Sequence, residues 1–166
     1  MRSGYVSSLL VALLVATVAS GATPAQSAAS APELSGQVVV NGAKASLAYV
    51  RVVAEKDSTG TLAYRIVLSE KDASKSVDPR IDAEFGKLGD AFIIGVTSGG
   101  ENFSNVIVLT ARKGPPFSVS GDIGVEGFRI DGGQLNGRFF TKKERDFFGE
   151  RISFDVKVRA PLPRTK

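Results

Sequence analysis

The chain has no cysteine, no histidine, no tryptophan and a single methionine. Without histidine there is no Ser-His-Asp triad, no imidazole metal site, no His-ligated haem and no imidazole acid or base. Without cysteine there is no disulfide, no thiolate nucleophile, no cluster ligation and no lipoprotein anchor. A strong surplus of one charge is also missing: 21 basic residues stand against 17 acidic ones in 166. Such a balance tolerates acidic surfaces but is not the basic signature of a nucleic-acid binder.

Long apolar runs are scarce as well. Residues 9–19 form an uncharged apolar stretch, about half of the ~20 residues a spanning helix needs. It follows Arg2 and precedes the small residues Ser20, Gly21, Ala22, Ala25, Ser27 and Ala28. Basic start, apolar centre and small-residue cleavage zone are the order of a secretory signal peptide, with a retained anchor as the alternative. Residues 1–28 are therefore read as signal peptide and cleavage zone, the cut falling between 20 and 31. Residues 29–33 are a flexible leader, 34–163 the folded domain and 164–166 a tail. The expected location is outside the cytoplasm, periplasmic or extracellular in a bacterium, with no transmembrane span in the mature form. Removing Arg2 with the leader leaves a net charge of about +3.

The rest of the chain alternates with a period of two and is punctuated by glycine. Gln37-Val38-Val39-Val40 runs into Asn41-Gly42, a strong hairpin signal because both turn positions tolerate a positive φ. The return, residues 43–55, is apolar on both faces around Tyr49, Val50, Val52 and Val53, which predicts a central strand. With residues 62–69 it completes a three-stranded meander. Asp78-Pro79 starts a short helix, and Ile81, Phe85 and Leu88 recur on one face before Gly89 stops it. Its expected role is to plug an open end of the β core. Further strands are expected over 91–97, 102–111, 117–119, 123–130 and 134–141. The last strand alternates most clearly: Ile152, Phe154, Val156, Val158 and Ala160 on one face, Arg151, Ser153, Asp155, Lys157 and Arg159 on the other. Eight or nine short strands and one short helix predict an all-β fold, a single antiparallel β-sandwich, with a small closed β-barrel as the alternative.

The passage Gly137-Arg138-Phe139-Phe140-Thr141, a charged loop, Phe147-Phe148-Gly149, Ser153-Phe154-Asp155-Val156 and Ala160-Pro161-Leu162 resembles the closing strands of small exported bacterial β-domains of no assigned activity. The resemblance covers about the last thirty residues. It implies an exported β-domain and carries over no functional residue.

Little remains for catalysis. No serine lies in a Gly-x-Ser-x-Gly elbow, and Ser69-Glu70-Lys71 and Ser74-Lys75-Ser76 lack the helical Ser-x-x-Lys spacing. Glu144, Asp146 and Glu150 could form a carboxylate pair, but Lys142, Lys143, Arg145 and Arg151 among them lower carboxylate pKa values. Asp131-Gly132-Gly133 and residues 78–82 offer oxygens for Ca²⁺ but match no EF-hand, and a hairpin turn accounts for the first. No metal and no cofactor is expected.

The segment of most interest is Lys142 to Arg151, where cations surround Phe147 and Phe148 between strands. Lys142, Lys143, Arg145, Phe147, Phe148 and Arg151, with the second basic cluster Arg112 and Lys113, are the candidate partner contacts. Charge would attract an anionic surface and a ring would bury in it. The expected function is an exported, non-catalytic binding or structural protein of the cell envelope. It would meet an anionic envelope component or another exported protein through loops. A lipocalin-like carrier of an apolar ligand and a carboxylate-only hydrolase are the alternatives.

Overall fold

The structure, a computed structural model, describes residues 31–56, 59–110, 115–119, 123–147 and 149–163. The signal-peptide and tail assignments lie outside these residues. The chain order is β1 (Glu33–Val40), β2 (Ala43–Lys44), β3 (Tyr49–Lys56), β4 (Leu62–Ser69), α1 (Pro79–Glu84), β5 (Ala91–Thr97), β6 (Asn102–Val108), β7 (Phe117–Ser118), β8 (Ile123–Asp131), β9 (Gln134–Thr141), β10 (Arg145–Phe147) and β11 (Glu150–Pro161). The first sheet runs β2-β1-β11-β9-β8, with β10 on β11, and the second runs β3-β4-β5-β6-β7. Every pairing is antiparallel. The fold is an antiparallel β-sandwich of two separate sheets, so the closed barrel is excluded. Eleven strands replace the expected eight or nine, because the short β2 separates from β3 and the three-residue β10 forms in the expected loop.

Alternation places the core. Ile152, Phe154, Val156, Val158 and Ala160 of β11 all face inward and are buried. They meet Ile66, Leu68, Phe92, Ile94, Val96 and Ile107 of the other sheet, and the Phe92 and Phe154 rings touch at 4.7 Å across the layers. Each such side chain contributes about 1.5–3 kcal/mol by leaving water. The Asn41-Gly42 turn forms as the sequence predicts, with φ of 51° and 79°.

The expected strand over 43–55 is instead two strands in different sheets. Residues 45–48 cross over, and Ala45 N–H still bonds Val38 O while Ala48 N–H bonds Ser69 O. The meander is therefore split, and β3 is an edge strand rather than a central one. Asp90 clasps this crossing. Its buried carboxylate accepts from Ser46 N–H at 3.0 Å, Thr110 N–H at 2.8 Å and the Thr110 hydroxyl at 2.7 Å.

The helix does not plug an end. It roofs the outer face of the β3–β7 sheet, where Val67, Ala91, Ile93 and Val108 bury against Ala73, Ala83 and Leu88. The reason lies in β4 and β5, which are apolar on both faces and need cover twice. Asp78 caps the helix by accepting from Ile81 N–H, and Pro79 and Ala83 face the sheet. Phe85, expected inward, is the C-cap residue and is 75% exposed.

Candidate binding face

Only the β3–β7 sheet carries a roof, so the outer face of the other sheet is the open one among the described residues. Its inward partners are fixed by alternation, which turns Ser153, Asp155, Lys157 and Arg159 of β11 outward. Two shallow clefts lie there. One, of about 400 Å³, is lined by Ser35, Gly36, Gln37, Asp155 and Lys157. The other, of about 190 Å³, is lined by Gln37, Thr141, Lys143, Glu144, Ser153, Phe154 and Asp155. Shared Gln37 and Asp155 make them one polar trough across β1, β11 and β9. At Gly36 the trough floor has no room for a side chain. A Cβ there would sit 1.9 Å from Asp155 O, and φ is +105°.

The charges of this face are largely matched. Arg138 donates through Nε and Nη2 to both oxygens of Asp155 at 2.8 Å and through Nη1 to Glu126 at 2.7 Å, with its guanidinium 4.6 Å above the Phe140 ring. These bonds hold the Asp155 carboxyl below its ordinary pKa and raise that of Arg138. Arg151 lies 3.9 Å from Glu144. Among the described residues, Lys142 and Lys143 form no ion pair and are exposed in the turn after β9. Lys142 and Lys143 thus add positive charge at that end of the trough, as Lys157 does along it.

The structure sorts the expected contacts. Lys142, Lys143 and Arg151 lie on the exposed side of the β9–β10–β11 turn region, and Arg145 is half-buried in β10 opposite Ile152. The expected loop is a short hairpin, and Phe147 folds back against the core, the reading that competed with its exposure to a partner. Phe148, Arg112 and Lys113 lie outside the described residues. Ser35, Gln37 and Thr141 were not singled out from sequence. Ser153, Asp155 and Lys157 were visible as the wet face of the last strand.

The chemistry available is recognition of polar and anionic groups by hydroxyl, amide and ammonium donors. Every described carboxylate with a resolved shift is lowered. Hydrogen bonds from Ser74 lower Asp72, and those from Lys87 and Ser76 lower Asp82. At Asp90, burial pushes upward but the Thr110 and Ser46 donors outweigh it. A general acid needs the opposite shift. No three carboxylates converge among the described residues. A second groove, of about 520 Å³, runs along β3, lined in part by Leu34, Tyr49, Val50, Val52, Leu162 and Pro163. Among the described residues no helix is long and apolar enough to cross a membrane. Comparison of the chain with protein-family models, curated proteins and solved structures finds no match.

Proposed function

We propose that this chain is an exported, non-catalytic binding protein of the cell envelope that meets an anionic surface through the open face of the β1–β11–β9 sheet. The observation that carries the reading is the polar trough ending at the exposed Lys142–Lys143 pair. Two adjacent ammonium groups beside hydroxyl and amide donors suit phosphate or carboxylate groups, which arrive already hydrated and need no deep pocket. The lowered carboxylates support binding over acid catalysis. Export rests on the order of charge and hydropathy in residues 1–31.

Co-sedimentation with vesicles of anionic headgroups, against vesicles of zwitterionic ones, tests the reading on protein recovered outside the cytoplasm. Binding to the anionic vesicles is expected to weaken with salt. Each lysine near such a surface contributes about 1 kcal/mol, so Lys142→Gln with Lys143→Gln is expected to lower the affinity tenfold or more without changing Tm. Equal recovery on both vesicle types, or no effect of the double substitution, would overturn it.

A further inference from the structure

The edges of the sandwich are unevenly guarded. β2 and β7 are two residues long. β8 has its register broken between Glu126 and Arg129 and carries those charges with Asp131. β1 pairs β2 only at Val39 and Val40, and its remaining edge bends at Gly36. These are the ordinary devices that blunt an edge. β3 carries the charges Arg51, Glu55 and Lys56 but is neither short nor broken in register. It is eight residues long, unbroken in its register with β4, and pairs with no other described strand. Val50 and Val52 lie on one face and Val53 on the other, with Arg51 and Glu55 beside Val53 and Lys56 at the strand end. The groove beside it is lined by Leu34, Leu162 and Pro163 together with Arg51, Asp72 and Ser74. A full-length edge strand with regular register and a groove alongside is a strand open to a neighbour.

We propose that a second copy of this chain supplies that neighbour, β3 pairing antiparallel with β3 of the copy about a two-fold axis through Val53. The charge pattern selects the register. In an antiparallel pair, residues directly opposite one another share the same hydrogen-bonding direction, so a two-fold can pair only positions of equal parity. Centring on Val53 places Arg51 of each copy opposite Glu55 of the other, on the same face, twice. It also sets Val52 against Ala54 and Val50 against Lys56. Centring one residue earlier would leave Arg51 against Val53. Glu55 accepts from Arg65 Nε at 2.6 Å through one oxygen, and Arg51 donates to Ser74 O at 3.1 Å through Nη1. Each keeps capacity for a second partner. The two β3–β7 sheets become one continuous sheet, and β3 becomes the central strand its composition describes. The surface is separate from the Lys142–Lys143 turn, so either reading can fail alone.

Sedimentation of protein purified from cells expressing the full chain is expected to give twice the monomer mass at micromolar concentration. Val53→Cys places the chain's sole thiol on the axis, where opposed Cα atoms lie within disulfide reach. Mild oxidation is expected to link it to itself, whereas Leu62→Cys, exposed on β4, stays unlinked. Arg51→Glu faces Glu55 with a like charge twice and is expected to raise the dimer dissociation constant about tenfold. A monomer at hundreds of micromolar, equal linking through Leu62→Cys, or a monomer that instead takes up a foreign peptide along β3 would overturn the proposal.

Discussion

Asp90 shows how one side chain can hold three segments. Its carboxylate meets the crossing at Ser46 and the chain leaving β6 at Thr110, while its own N–H donates to Glu70 Oε2 at 3.1 Å. Replacing it with alanine strands two backbone N–H groups and a hydroxyl. Asp90→Ala is expected to cost about 3 kcal/mol in urea denaturation with an unchanged m-value. A loss under 1 kcal/mol would mean water serves those donors equally well. A second device repeats in both sheets. Gly95 and Gly124 lack side chains, and Phe103 and Phe140 lie over the gaps. Each ring in turn carries an arginine, Arg65 at 4.7 Å and Arg138 at 4.6 Å. Those arginines are closed by Glu55 and by Asp155 with Glu126. None of this was legible in the sequence, because a Gly-Phe pairing across strands appears only once the register is known.

At the scale of elements, legibility followed burial. β11 was readable residue by residue because one face is wet and the other dry. β3 was misplaced because an apolar pattern on both faces reports how much cover a strand takes, not whether a strand of its own chain provides it. The helix was found, but its inner face was misread. With only six residues it presents Pro79 and Ala83, small enough to let it lie close on β4 and β5, and this turns the larger Phe85 out. Phe85→Ser is therefore expected to change stability by less than about 0.5 kcal/mol, whereas Ala83→Leu overpacks the roof and costs about 1–3 kcal/mol. Thermal melts of the two variants check this, and a larger loss for Phe85→Ser would restore the inward reading. The contact loop was half legible: Lys142, Lys143 and Arg151 are exposed, Arg145 is half-buried, and Phe147 lies back against the sandwich, which the sequence left open.

For the whole molecule, the missing histidine sets the pH response. No side chain of ordinary pKa changes charge between about pH 6 and 8. Asp72, Asp82, Asp90 and Asp155 all have folded values below the ordinary carboxylate. Depressed carboxylates stabilise the fold above their unfolded pKa, near 4, and that stability is lost as pH falls through 4 toward the folded values. Tm is expected to stay level from pH 8 to about 5.5 and to drop steeply below about 4.5. A decline already between pH 8 and 6 would contradict this assignment of the titrating groups.

The pairing of β1 with β11 has a consequence in time as well as in space. Glu33 meets Arg159 and Val40 meets Ile152, so the first strand of the domain finds its partner only in the last. A chain emerging N-terminus first cannot complete this sheet until nearly all of it is available, and contacts so far apart close slowly. The topology acts as a delay: the sheet closes only once the strand Glu150–Pro161 has been made.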